Sequence, residues 1–194
     1  MLTAMSNKKS DLRRVVQEKL AGQSPDDLAG ETRQIHDQLF GWDVFQTAKC
    51  VHTYVSALPG EVDTLAVIGR LLERGTEVQV PVVRDETTLA HVVLPSLDAL
   101  RPATYNLLEP DEAQCTQANP ERAQLIIVPG RVFDRAGYRI GSGRGYYDRF
   151  LAPLHVPTAA LVYSGQLVDA VPAESHDVPV QYLITPQNII ESRS

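Results

Sequence analysis

Residues 139–148 read Arg-Ile-Gly-Ser-Gly-Arg-Gly-Tyr-Tyr-Asp, with Gly141, Gly143 and Gly145 at every second position. Glycines so spaced free the backbone to turn its amides inward and let a ligand approach closely. A run of such N–H groups leading into a helix is an anion site. Arg139 and Arg144 add guanidinium groups, which grip phosphate oxygens in bidentate fashion. The chemistry these residues could do is phosphate binding, over a stretch spanning Ile140, Ser142 and the tyrosines Tyr146 and Tyr147. GxxxxGK[ST] is absent, and Tyr146 stands where a dinucleotide fingerprint needs its third glycine, so neither common phosphate motif applies. The bland reading is a surface turn with scattered arginines. Asp148 follows on the first turn of an expected helix, either as a metal carboxylate beside phosphates or as an acid favoured by the helix terminus.

A second pair of cations lies near the N-terminus. At 100° per residue Lys9 falls among Leu12, Val16 and Leu20 on one helical face, with Arg13 at its edge and Arg14 pointing away. Inward-facing cations are costly unless paired or in contact with water. Either they snorkel from a helix end, or both reach an anion.

Elements must position these groups, and the chain supplies an alternating series. Residues 10–20 predict a helix on the stripe Leu12, Val15, Val16 and Leu20. Ser24-Pro25-Asp26-Asp27 supplies an N-cap, an N1 proline and first-turn acids for a helix to about Phe40. Residues 50–55 predict a strand, 61–74 a helix stopped at Gly75, and 77–83 a strand ending near Pro81. Residues 89–94 predict another strand, and 95–122 a loop with one short helix. Leu125-Ile-Ile-Val is the apolar run of a buried central strand. Asp134-Arg-Ala-Gly137 has the composition of a tight turn, residues 146–154 predict a helix, and 159–163 and 182–185 the last strands. The expectation is an α/β three-layer sandwich: a mostly parallel, Rossmann-like sheet with helices on both faces, and ligands at the carboxyl ends of the strands.

The 194 residues, 43% hydrophobic and 22% charged, suit one domain over 1–194 with a core of its own. No apolar run reaches the ~20 residues of a membrane span, and the N-terminus lacks a secretory core. Cys50 and Cys115 form no CxxC or Cys/His cluster, which fits a reducing compartment. These readings predict a cytoplasmic protein without a membrane or nucleic-acid partner, the latter because the net charge is −6. Cys50 is expected in the core, and none of the histidines has metal-ligand spacing.

Longer strings carry a resemblance. Pro129-Gly-Arg-Val-Phe-Asp, Gly137-Tyr-Arg-Ile-Gly and Gly143-Arg-Gly-Tyr-Tyr-Asp-Arg-Phe-Leu resemble the signature of the 5-formyltetrahydrofolate cyclo-ligase family. Lys9-Ser-Asp-Leu-Arg13, residues 56–64, Leu108-Glu-Pro110, His176-Asp177 and Leu183-Ile-Thr-Pro186 match weaker markers, whereas 84–106 departs from the pattern. The resemblance implies ATP- and Mg²⁺-dependent closure of 5-formyltetrahydrofolate to 5,10-methenyltetrahydrofolate. ATP phosphorylates the formyl oxygen, N10 attacks the activated carbon, and phosphate leaves. It implies ATP contacts from Lys9, Arg13 and residues 139–147, and substrate contacts from Val55, Glu61 and residues 142–146. Arg144 and Tyr146 would serve catalysis, and Asp148 and Asp177 would hold Mg²⁺. Tyr147 is expected to pack, and Glu61 to open its helix. The partners implied are ATP and a reduced folate, with a monomer or weak homo-oligomer as the assembly. Two alternatives stand beside this reading: a divergent member that serves another substrate or lacks turnover, and a sugar-phosphate isomerase or CoA-transferase-like protein of the same fold.

Overall fold

The computed structural model describes residues 2–56, 58, 60–103 and 108–192. Ala57 and Pro59 of the 56–64 marker, and residues 104–107 of the 95–122 stretch, lie outside the described residues. The helices are α1 (Leu2–Ala21), α2 (Pro25–Gly41), α3 (Asp43–Thr47), α4 (Leu65–Glu73) and α5 (Tyr146–Leu151). The strands are β1 (Cys50–Thr53), β2 (Glu77–Val83), β3 (Leu89–Val93), β4 (Leu100–Pro102), β5 (Leu108–Pro110), β6 (Thr116–Gln117) and β7 (Leu125–Ile127). They continue with β8 (Val132–Asp134), β9 (Arg139–Ile140), β10 (Thr158–Leu161), β11 (Leu167–Val168), β12 (Tyr182–Ile184) and β13 (Ile189–Glu191).

Eight strands form the main sheet in the order β13-β12-β10-β7-β1-β2-β3-β6. The middle five run parallel, and β13, β3 and β6 are antiparallel additions at the edges. Side chains alternate across it as strand geometry demands. Leu125, Ile127, Ala159 and Leu161 join one core with Val16, Leu39 and Ile68. Ile126, Ala160 and Leu183 join the other with Leu151 and, at its margin, Phe150. The sandwich is therefore uneven, with α1, α2 and α4 on one face and α5 on the other. β7 is fully buried, as its unbroken apolar run required.

Five local expectations need correction, the first of them the loop expected over 95–122, where β4, β5 and β6 lie. Val15 is half exposed, so the stripe of α1 is Leu12, Val16 and Leu20 alone. The helix expected from Glu61 starts at Leu65. Reciprocal bonds explain why: Thr64 Oγ1 accepts from the Ser56 N–H at 2.8 Å, and the Thr64 N–H donates to Ser56 Oγ at 3.0 Å. Side-chain bonds of this kind compete with the first turn of a helix. β2 runs past Pro81 to Val83 because β1 pairs with it only through Gln79, so the missing amide costs no bond to that strand. α5 stops at Leu151, three residues early, where Pro153 cannot continue it.

Candidate functional site

The glycine loop is aimed by what precedes it. β8 and β9 pair antiparallel, Val132 with Ile140 and Phe133 with Arg139, around the turn read from the sequence. Asp134 Oδ1 accepts the Ala136 and Tyr138 N–H groups at 3.0 Å each. Gly137 has φ +85°, and a Cβ there would lie 2.1 Å from the Val180 carbonyl oxygen, so only glycine fits. The hairpin delivers residues 141–145 to the mouth of a cleft of about 640 Å³ at the carboxyl end of β7. Gly143 (φ +98°) and Gly145 (φ +65°) take left-handed conformations. α5 is only six residues long, so the loop's own amides and the nearby cations, more than a long helix dipole, make the anion cradle.

Most of the residues expected at the site meet in this cleft. Ile140, Gly141, Ser142, Gly143 and Gly145 line it, as do Tyr146 and Tyr147. Both N-terminal cations arrive from α1. Arg13 Nε donates to the Gly141 carbonyl at 2.8 Å, and its guanidinium would lie 3.2 Å from a Cβ on Gly143. Lys9 Nζ donates to Asp177 Oδ2 at 2.8 Å, with Glu174 at 3.7 Å. Arg139 lines the cleft but is 4% exposed and ion-paired with Asp148 at 3.0 Å. It also donates to the Val178 carbonyl. These contacts tie Arg139 to Asp148 and to the Val178 backbone. Burial lowers its pKa, against the Asp148 charge that raises it.

Other expected residues sit elsewhere. Arg144 is exposed and does not line the cleft; its carbonyl accepts from the Arg149 guanidinium at 2.8 Å. Val55 packs against the core instead of lining the cleft. Glu61 does line the cleft, from a loop instead of a helix, and its carboxylate accepts the Leu58 N–H at 3.0 Å. Both tyrosines line the cleft, and Tyr147 also packs against the core beside Phe150, as expected. The Tyr146 hydroxyl donates to the Asp85 carbonyl at 2.6 Å. The Tyr147 hydroxyl is buried with no hydrogen-bond partner among the described residues, while its ring lines the cleft. Burial, with the Glu61 charge adding, pushes the Tyr147 phenol pKa well up, so it stays protonated.

One grouping was missed, and another was read only through Asp177. Glu174, His176 and Asp177 bring one ligand atom each to within 4.8 Å of one another, although spacing alone excluded the histidines as ligands. The pattern Glu-x-His-Asp was the available signal. On the far face, His52 Nε2 and His91 Nδ1 lie 2.9 Å apart beneath the Phe150 ring, a pairing across strands that no local pattern reveals. The donor set of the cleft fits a hard cation. Asp148, Asp177 and Glu174 supply carboxylate oxygens of the kind Mg²⁺ takes, and they are neutralised here by Arg139 and Lys9. No helix among the described residues is long and apolar enough to cross a membrane.

Comparison with known proteins follows the same lines. The model of the 5-formyltetrahydrofolate cyclo-ligase family matches residues 5–186. The 5-formyltetrahydrofolate cyclo-ligase of Mycolicibacterium smegmatis is 32% identical over 166 residues, covering 81% of this chain and 83% of that protein. A probable 5-formyltetrahydrofolate cyclo-ligase of Caenorhabditis elegans is 28% identical over 94% of this chain and 95% of its own. The solution structure of the Aquifex aeolicus 5,10-methenyltetrahydrofolate synthetase superposes with a TM-score of 0.83 at 30% identity, over 96% of this chain and 93% of that one. The match over nearly the whole chain removes the isomerase and transferase alternatives. The chain belongs to the 5-formyltetrahydrofolate cyclo-ligase family.

Proposed function

We propose that the chain converts 5-formyltetrahydrofolate to 5,10-methenyltetrahydrofolate with consumption of ATP, using the cleft between α1, the glycine loop and the 174–177 segment. One observation carries this reading: cations from α1, open backbone from the loop and carboxylates from two further segments converge on one concavity at the carboxyl end of the central strand. The reaction needs such a convergence. A formyl oxygen is a poor leaving group until phosphorylated, and phosphoryl transfer is driven mainly by positioning and charge neutralisation.

In this reading Lys9 and Arg13 meet the phosphates, and the amides of residues 141–145 cradle them. Arg13 is already fixed by the Gly141 carbonyl, so its charge is placed before ligand arrives. Asp148 and Asp177, with Glu174 beside them, would hold Mg²⁺, which supplies charge neutralisation on the phosphates when bound. Glu61 and the Tyr146 and Tyr147 rings line the side left for the folate. Tyr147 keeps its proton and offers its buried O–H as a donor to a bound oxygen. The short hairpin tip at 85–87 is tied to Tyr146 and Arg149 beside the site. A cytoplasmic location and a single domain over 1–194 complete the proposal.

Mixing the protein with 5-formyltetrahydrofolate, ATP and Mg²⁺ tests it directly. The near-ultraviolet absorbance of the conjugated product should rise only with all three present, with one ADP formed per product. Folded protein that binds both reactants and yields no product would move the reading to the divergent, non-catalytic alternative.

A further inference from the structure

A second, smaller cleft of about 220 Å³ opens beside the first, under α1. Val16, Leu20, Leu28 and Tyr163 give it largely apolar walls. Three charged residues line both clefts: Arg13, Glu61 and Arg131. Glu61 is engaged with the Leu58 N–H, and Arg13 with the Gly141 carbonyl. The Arg131 side chain makes no hydrogen bond or ion pair with any described residue. In a chain of net charge −6, a half-buried guanidinium left without a carboxylate is a choice the fold makes against electrostatic cost.

The backbone around Arg131 is built to hold it there. It is the fourth residue after β7 ends, at the carboxyl end of the central strand, where α/β folds gather ligands. Its N–H donates to the Ile140 carbonyl at 2.8 Å. Its carbonyl accepts from the Gln166 amide at 3.3 Å. Gly130 before it must lack a side chain, because a Cβ would lie 2.4 Å from the Phe133 ring. The side chain lies close enough to Arg13 for the two like charges to interact, and after burial the Arg131 charge is what lowers the Arg13 pKa. Two guanidinium groups facing shared space, with donors to spare, match an oxyanion.

We propose that Arg131 and Arg13 together form an oxyanion site at the junction of the two clefts, which binds an anionic group of a reactant. This rests on the functional reading above, and it adds to that reading a ligand-binding residue, Arg131. The anion comes either from the nucleotide, as a phosphate, or from the folate, as a carboxylate of its glutamyl tail. The small cleft extends away from the glycine loop and has room for an aryl group but not for a nucleotide.

Calorimetric titration of the wild-type chain, Arg131→Met and Arg131→Lys separates the sources. The probes are MgATP, inorganic tripolyphosphate, 5-formyltetrahydrofolate, and an analogue of the last without its glutamate. Loss of a charge-assisted pair should weaken one arm about tenfold. Weakening of MgATP and tripolyphosphate together identifies phosphate. Weakening of the folate but not of its truncated analogue identifies the tail carboxylate. In either case Arg131→Lys should recover part of the affinity, and unliganded Arg131→Met should melt at the wild-type temperature or slightly above, since a repulsion is relieved. Affinities within about twofold of wild type on every probe would overturn the inference, as would a fall of more than about 5 °C in unliganded melting, which assigns Arg131 to the fold. Wild-type protein that binds neither reactant overturns the functional reading and this inference with it. Normal wild-type binding with an indifferent Arg131→Met overturns this inference alone.

Discussion

Arg139–Asp148 and Lys9–Asp177 are both cation–carboxylate pairs on the wall of one cleft, at 3.0 and 2.8 Å, yet they are built differently. The first is a closed circuit. Arg139 is 4% exposed and spans Asp148 and the Val178 carbonyl, while Asp148 Oδ1 also accepts the Val178 N–H at 3.2 Å. Three segments, β9, α5 and the 178 strap, are locked together through Asp148 Oδ1, while Oδ2 carries no hydrogen bond among the described residues. The second pair is open. Lys9 hangs on a flexible stem from α1 and makes one hydrogen bond, and its carboxylate partner lies beside Glu174 and His176. A compact ammonium on a long stem exchanges partners more readily than a buried, planar guanidinium. The difference makes Arg139 part of the scaffold of the site and Lys9 one of its working parts.

The sharpest way to break that division is to remove the acid that Arg139 holds. Asp148→Ala leaves a buried guanidinium without its partner, and such losses cost about 3 kcal/mol. Urea unfolding should register most of that, and binding of MgATP should fail as the 139–148–178 circuit opens. Wild-type stability in this variant would show that the Arg139 brace contributes nothing to the fold.

Gly143→Val should come next. A branched residue at φ +98° carries about 1–3 kcal/mol of strain, and its Cβ would press on the Arg13 guanidinium at 3.2 Å. Nucleotide affinity should fall by tenfold or more, with a smaller loss of stability than in Asp148→Ala. Lys9→Met then isolates the open pair. It keeps the aliphatic stem and deletes the charge, so ATP affinity should drop about tenfold, the worth of a charge-assisted bond, while urea unfolding moves by less than about 1 kcal/mol. A stability loss equal to that of Asp148→Ala would erase the contrast between the pairs.

What could be read in advance follows the same division between local and distant causes. Ser24 caps α2 through the Asp27 N–H as its type and position required. The turn at 134–137 and the strand β7 likewise follow from composition over a few residues. Lys9 and Arg13 were legible because a helix has a fixed period, and that period put both on the cleft side. The burial of Arg139 was not legible: its partners lie 9 and 39 residues away, and only the tertiary fold places its guanidinium between them. Glu61 was misplaced for the opposite reason. Its neighbourhood has a helical pattern, but the Ser56–Thr64 bonds override it. β8, β9 and β11 are two or three residues long, too short for alternation to register. The Arg131 side chain stood inside a recognised motif string, and nothing in its neighbours' types marked it as unpaired.

The smallest effect, and the most specific to the open pair, is its dependence on pH. Burial pushes the Asp177 carboxyl up, but the Lys9 hydrogen bond, the Glu174 N–H and the charges of Lys9 and His176 outweigh it and hold the group below its ordinary 3.8. A carboxylate with a depressed folded-state pKa binds its proton more weakly folded than unfolded. The stability it contributes is therefore fully present above the ordinary value and is lost as pH falls below 3.8 through the folded value. Asp177→Asn removes that contribution, so its urea midpoint should lie slightly below wild type at pH 6 and converge on it in acid. The substitution also weakens the one hydrogen bond Lys9 makes among the described residues, by replacing a charged acceptor with a neutral amide oxygen. If Lys9 is a working part, Mg²⁺-free ATP should then bind Asp177→Asn more tightly than it binds the wild-type chain, because the ammonium leaves a neutral amide more readily than the Asp177 carboxylate. A scaffold lysine predicts the reverse, with the pair lost and ATP affinity unchanged or lower, and chelated titrations of the two proteins at pH 7 distinguish these outcomes.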